Sequence, residues 1–380
     1  MIGVDAVAEI LRREGTEFLA CYPAQRMIDA AAKLGIRPIL CRQERMGMAI
    51  ADGFSRITGG NRIGVFSMQH GPGAENAFPG AAQAYSENVP ILLLPGSEAT
   101  TRRYVEPNFS SVDNYRNVTK WRAEVNNVDR IPELMRRAFY QLRTGKPGPV
   151  LIELPRDMWD AELSSELKYT PVRGNLVRPN TADIREVASV LLAADRPVIH
   201  AGQGCLYADT WDELQEIAEL LQSPVMTTMQ GKSAFPEDHP LSLGAASVST
   251  TKAVHGFIEM ADLIFGIGCS FTMTNYGKSI PDGKIIVHST NDPNDVNKDI
   301  ASDHVLLGDA KLVLEDLIAE IKAQSGGTGH MGNRDVGPDV RRVKQEWLEE
   351  WMPKLTSDET PINQYRIIWD LMNNVDRANT

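Results

Sequence analysis

The predicted strands EFLACYP (17–23), IRPILCRQ (36–43), RIGVFSMQ (62–69), VPILLLPGS (89–97) and GPVLIELP (148–155) have apolar centres without the polar alternation of a half-solvated strand. Strands of this kind are covered on both faces, as in a parallel sheet flanked by helices. Stretches of helical periodicity separate them, at 44–57, 76–88 and 131–143, and Gly59-Gly60 stops the first. Residues 98–120 are polar and read as irregular. A second set follows: RPVIHAGQG, SPVMTTMQG, ADLIFGIGCS and KIIVHST as strands with their turns, and TADIREVASVLLAA, TWDELQEIAELLQ and AKLVLEDLIAEIKA as helices, with Thr181 as an N-cap. The predicted fold is α/β, with two doubly wound parallel-sheet domains and the truncated start of a third. The boundaries are 1–163 for the first domain, 164–181 for a polar linker and 182–324 for a central domain. Residues 325–355 form a linker and a charged helix, and 356–380 begin the third domain. The glycine-rich stretch 325–338 reads as mobile.

Composition narrows the function. The chain has 380 residues and a net charge of −11, which argues against nucleic acid or an anionic membrane as a partner. No apolar run reaches the ~20 residues of a bilayer span. The N-terminal MIGVDAVAEILRREG reads as an amphipathic helix, not a signal peptide. The 4 cysteines (Cys21, Cys41, Cys205, Cys269) form no CxxC pair, which fits a reducing cytoplasm and no metal knuckle.

Open α/β sheets bind ligands at strand C-termini. Three such points lie in the first domain: CYPAQ at 21–25, Glu44 and HGPGAEN at 70–76. Glu44 stands between the IRPIL strand and a helix with an apolar stripe at Met46, Ile50, Phe54 and Ile57. Taken singly, Glu44 also reads as a helix-start acid favoured by the dipole, and HGPG as a simple turn. His200, His239, His255, His288 and His304 lack metal-ligand spacing and read as structural; no metal ligand is assigned.

The combination is more specific. RQExxGMAIADGFSRxTG, GVFSMQHGPGAENAFPGAAQAY, VPILLLPG and KPGPVLIELPRD resemble the pyrimidine-binding domain of thiamine-diphosphate enzymes of the acetolactate synthase type. PVMTTMQGKSAFPEDHPLSLG, ADLIFGIGCSF and GDAKLVLEDL resemble that family's central domain, in the same order. The resemblance implies that Glu44 hydrogen-bonds N1′ of the cofactor's aminopyrimidine and exchanges the proton that activates the thiazolium for attack on a 2-oxo acid. It places Pro23, Ala24, Gly71, Pro72, Gly73 and Asn76 as cofactor-binding residues. Ala24 replaces the usual glycine. His70 replaces the usual serine or threonine. It is either a second catalytic residue that moves a proton at the substrate or a turn histidine bonded to backbone.

Other departures bear on substrate. The family's Phe-Gln pair is replaced by GSEATTRRYVEPNFSS, in which Arg102 and Arg103 either meet an acidic substrate or are solvated. The expected function is a thiamine-diphosphate-dependent decarboxylase or carboligase acting on a small-molecule 2-oxo acid. It is expected to be cytoplasmic and a homodimer or homotetramer. The alternative is a non-catalytic binding or regulatory chain, which need not retain Glu44. A nucleotide-binding oxidoreductase lacks a fingerprint. FAD in the central domain is not favoured, because HAGQG and GIGCS are not a full GxGxxG. The family's GDG…N motif for diphosphate and Mg²⁺ does not occur. The chain therefore reads as an N-terminal fragment, inactive alone, whose full-length enzyme binds thiamine diphosphate and Mg²⁺.

Overall fold

The computed structural model describes residues 1–23, 26–332 and 334–376. The chain divides into two compact units, Met1–Val177 and Arg178–Thr380.

The first unit runs α1 (Gly3–Arg13), β1 (Phe18–Cys21), α2 (Arg26–Lys33), β2 (Arg37–Leu40), α3 (Glu44–Ile57), β3 (Gly64–Met68), α4 (Pro72–Ser86), β4 (Ile91–Ser97), α5 (Ser111–Asn114), β5 (Trp121–Glu124), α6 (Ile131–Arg143), β6 (Val150–Pro155) and α7 (Arg156–Asp160). Its strands form a six-stranded sheet in the order β2-β1-β3-β4-β6-β5, with every ladder parallel. Successive strand residues feed opposite cores. Leu19, Val65, Leu92, Leu94, Val150 and Ile152 pack with residues of α1, α2 and α6. Ala20, Phe66, Met68, Ile91, Leu93 and Leu151 pack with those of α3 and α4. Both faces of β3, β4 and β6 are therefore covered, as their unbroken apolarity predicts. Each large apolar side chain buried this way contributes roughly 1.5–3 kcal/mol.

One expectation changes. The strand before Glu44 is at the sheet edge, where a strand has one neighbour, and its Leu40 is 61% exposed. Of the stripe of α3, Met46 is 54% and Ile57 89% exposed, Ile50 and Phe54 are half-buried against the core and against Phe18, and Gly47, Met48, Ala51 and Ser55 are buried. The inner face is small because α3 lies close on β3; a Cβ on Gly47 would come 2.2 Å from the Phe66 ring. The strand β5 was not anticipated. Its sequence WRAE is short and polar, and pairing with β6 recruits it, with Glu124 opposite Glu153. Residues 163–177 fasten onto this unit through the buried Glu14. Its carboxylate pairs with Arg143 and accepts from the Tyr169 hydroxyl and the Val172 N–H.

The second unit runs α8 (Thr181–Ala193), β7 (Pro197–Ala201), α9 (Gln203–Tyr207), α10 (Trp211–Leu221), β8 (Val225–Thr227), β9 (Ser242–Ala245), α11 (Lys252–Met260), β10 (Leu263–Ile267), β11 (Ile285–Thr290), β12 (His304–Leu307), α12 (Ala310–Ser325), α13 (Gly337–Leu355) and α14 (Gln364–Asn374). Its sheet is also six-stranded and parallel, in the order β12-β11-β10-β7-β8-β9. Asn180, not Thr181, caps α8, its side chain accepting from the Ala182 N–H at 2.8 Å. The glycine-rich stretch after α12, expected to be mobile, is anchored. The His330 N–H donates to Leu220 O at 2.7 Å, and Arg334 donates to Leu221 O at 2.7 Å. Among the described residues, no helix is long and apolar enough to cross a membrane.

Candidate functional site

In the first sheet the chain steps outward from β1 to β2, then crosses back to β3 on the other side of β1. Connections diverge there, which opens a crevice at the C-terminal ends of β1 and β3. Pro23 follows β1, Glu44 opens α3, and His70, Gly71, Pro72 and Gly73 follow β3, so the topology brings the predicted residues to one edge. Ala24 lies outside the described residues.

Glu44 is 6% exposed at the first turn of α3. Asn76, in the first turn of α4, donates from Nδ2 to Glu44 Oε2 at 2.8 Å. The other oxygen lies over the bare Cα of Gly73: a Cβ there would stand 2.9 Å from Glu44 Oε1 and 2.7 Å from Gln69 Cβ. Gly71 caps α4 at φ 59° and ψ −112°, a backbone conformation that glycine alone adopts readily. Pro72 occupies the first helical position, where a missing N–H is harmless. HGPG is thus the start of a helix that delivers Asn76 to a buried carboxylate. A Gly73→Ala variant is expected to displace that carboxylate and to cost about 1–3 kcal/mol of stability through overpacking. Thermal unfolding checks the cost.

His70 borders an open cleft of about 360 Å³ with Arg26, Gln69, Arg156, Trp159 and Asp160. Its Nε2 is 3.4 Å from Glu98 Oε1. Arg26 pairs with Asp160. Arg102 and Arg103, considered above for an acidic substrate, already face acids: Arg102 is 4.0 Å from Glu98 and Arg103 3.3 Å from Glu124. Glu98 was not singled out in the sequence. Only the pairing of β3 with β4 brings it beside His70.

The two glycine turns of the second unit close on each other. The Gly202 N–H donates to Ile267 O at 2.9 Å and the Gly204 N–H to Gly268 O at 2.8 Å. A Cβ on Gly202 would come 2.2 Å from Gly268 O. Backbone packing accounts for these glycines, and both N–H groups are already committed. His239 and His304 pair with Glu219 and Glu186 at 3.1 and 2.7 Å. His200 and His288 are buried against Phe271, and burial pushes His200 down to about 4. Among the described residues, no group of three or more His, Cys, Asp or Glu side chains could hold a metal ion.

Comparison with known proteins gives a consistent picture. The family model described as "Thiamine pyrophosphate enzyme, N-terminal TPP binding domain" matches residues 1–120. The model described as "Thiamine pyrophosphate enzyme, central domain" matches residues 184–317. The chain is 33% identical to the "Probable acetolactate synthase large subunit" of Methanocaldococcus jannaschii, over 98% of this chain and 64% of that protein. It is 30% identical to the acetolactate synthase isozyme 3 large subunit of Escherichia coli, over 85% of this chain and 58% of that one. It therefore spans less than two thirds of the length of these relatives. An X-ray structure from Mycobacterium smegmatis, proposed to be a thiamin diphosphate-dependent enzyme, superposes with a TM-score of 0.74 at 25% identity. That match covers 84% of this chain and 63% of the other. With two successive domain models matched in order and a common fold, the chain belongs to the thiamine pyrophosphate enzyme family.

Proposed function

We propose that this chain supplies the aminopyrimidine-binding side of a thiamine-diphosphate-dependent, acetolactate synthase-like enzyme that decarboxylates or ligates a 2-oxo acid. The observation that carries the reading is the buried Glu44 carboxylate, with Asn76 on one oxygen and the recess over Gly73 beside the other. A buried carboxylate with no donor to its second oxygen among the described residues fits a ligand that offers a protonated ring nitrogen. Thiamine diphosphate, when bound, supplies the nucleophilic carbon and the electron sink for loss of CO₂. On this reading Glu44 holds and exchanges the proton of the pyrimidine nitrogen, and Asn76 keeps the carboxylate in one orientation. Gly71, Pro72 and Gly73 let the ligand approach the backbone, and His70 moves a proton at the substrate. The proposal places only the aminopyrimidine contacts on this chain. Mg²⁺ is expected with the diphosphate in the holoenzyme, and no site for FAD is proposed.

The test is CO₂ release from a panel of 2-oxo acids by the holoenzyme, with thiamine diphosphate and Mg²⁺ added or withheld. Release that depends on both is the expected result. A protein that binds neither the cofactor nor any 2-oxo acid overturns the reading in favour of a non-catalytic chain.

The exposed members of the α3 stripe support self-association. Met46 and Ile57 are exposed on one side of that helix, and Tyr85 on α4 is 45% exposed. Exposed apolar side chains grouped on one face mark a contact surface, and a two-fold contact uses one patch twice. The protein is expected to sediment as a dimer or tetramer, and Met46→Lys with Ile57→Lys to shift it toward monomer. A wild-type monomer at micromolar concentration removes this part of the proposal.

A further inference from the structure

Neighbouring parallel strands bring the residues just beyond their ends together, and β3 and β4 do this for His70 and Glu98. His70 Nε2 lies 3.4 Å from Glu98 Oε1, with side-chain exposures of 30% and 28%. The imidazole borders the cleft beside the cap of α4, so it is reachable by a small molecule. The other charges around it are arranged to leave this pairing intact. Arg26 from α2 and Asp160 from α7 satisfy each other. Arg156, also from α7, lines the cleft. Arg102 is 4.0 Å from the second oxygen of Glu98, so the histidine and the arginine face different oxygens of the carboxylate. The turn carrying Glu98 is itself fixed, because the Thr100 N–H donates to Asp157 Oδ1 at 3.0 Å.

We propose that Glu98 is the positioning residue for His70. A carboxylate facing one ring nitrogen holds the proton there and sets the tautomer. On this proposal the ring proton stays on Nε2, which faces Glu98 at ion-pair distance, and Nδ1 is left as the atom that accepts a proton. When Nδ1 takes one from a substrate group, the Glu98 carboxylate stabilises the resulting imidazolium; the same proton returns from Nδ1 to the product. A base oriented by a third group in this manner is a recurrent arrangement in catalysis. The role rests on the proposed part of His70 in moving a proton at a 2-oxo acid and deepens it. It also distinguishes His70 from the hydroxyl residues it replaces, which have no second nitrogen to anchor.

The experiment has two arms. Imidazole ¹⁵N shifts of the labelled full chain are recorded in alkaline buffer, with His70 assigned by comparison with His70→Gln. The wild type is expected to show the Nε2-protonated tautomer, Glu98→Leu a mixture of both, and Glu98→Asp a return toward the wild-type balance. In the holoenzyme, Glu98→Leu is expected to lower kcat roughly 5–10-fold, the scale of a part-exposed charge pair, with little change in KM. The same substitution in a His70→Ala background is expected to have no further effect. A tautomer balance unchanged by Glu98→Leu, or equal kinetic losses with and without His70, overturns the proposal. The tautomer arm needs neither cofactor nor substrate. An intact dyad in a holoenzyme that turns over no 2-oxo acid therefore overturns the 2-oxo acid reading, and with it the catalytic use of the dyad.

Discussion

Glu44→Gln is expected to keep the fold and lower turnover of the holoenzyme by ~10²–10⁴-fold, the usual contribution of a positioned acid–base group. The two side chains are nearly the same size, so packing around α3 changes little. The amide oxygen can still accept from Asn76 Nδ2, now 2.8 Å from the carboxylate. What disappears is proton exchange with the pyrimidine nitrogen. Cofactor affinity falls less, because one hydrogen bond remains available. A residue that only starts a helix behaves in the opposite way, losing roughly 0.3–1 kcal/mol of stability with turnover intact. C2-proton exchange of the bound cofactor and the melting temperature, measured on the same variant, separate the two. Wild-type exchange rates in Glu44→Gln would end the claim that this carboxylate is catalytic.

The second large effect lies behind the site. Glu153, on the central part of β6, is 2% exposed. Burial pushes its carboxyl from the ordinary 4.5 up to about 7, and Glu124 across the ladder adds to the rise; the N–H groups of Ser111 and Val112 oppose it. The folded protein therefore keeps this proton over a range where the unfolded chain releases it. The resulting stability is complete below about 4.5 and is lost as pH rises through about 7. A shift of that size corresponds to about 3 kcal/mol. Glu153→Gln keeps the shape and an acceptor for the Ser111 N–H but cannot ionise. The variant is expected to melt near the wild-type temperature in acid and roughly 5–10 °C above it in mildly alkaline buffer. An equal difference from wild type at both pH values would show that Glu153 does not titrate in this range.

The legible parts of the fold were those in which local chemistry and tertiary role agree. Residues 44–57 read as a helix from their periodicity and their glycine stop, and the structure closes the helix at Ile57 with Gly59 and Gly60 at positive φ. β4 and β6 announced their burial on both faces. Elements formed mainly by tertiary pairing were silent: β5 (WRAE) and β12 (HVLL) have only four residues each, and each gains its hydrogen bonds only at the edge of a sheet. On α3 the buried face combines Gly47, Ala51 and Ser55 with Met48, while Met46 and Ile57 of the apolar stripe stay exposed. Within the site, Glu44, Gly71 and Gly73 lie at predicted strand ends and Asn76 at the start of the next helix, and it was the family resemblance that joined them into a set. Glu98 was not visible, since its partner is near only through the order of the strands.

The segment from 98 to 117 is pinned at separate points. Asp157 holds Thr100, Glu153 holds Ser111, and the Tyr115 hydroxyl donates to Ala74 O at 2.6 Å, in the first turn of α4. The last contact ties the segment to the helix that presents Asn76. Anyone redesigning this segment thus inherits a frame with fixed posts. Residues 104–108, exposed between the first two posts, can be exchanged or lengthened as a cassette, whereas Arg103 pairs with Glu124 and Phe109 packs on the core under α3 and α4. A change at Tyr115 would be felt at the helix that presents Asn76 to the carboxylate, so libraries that randomise the whole segment will mix changes in the segment with a shift of that helix.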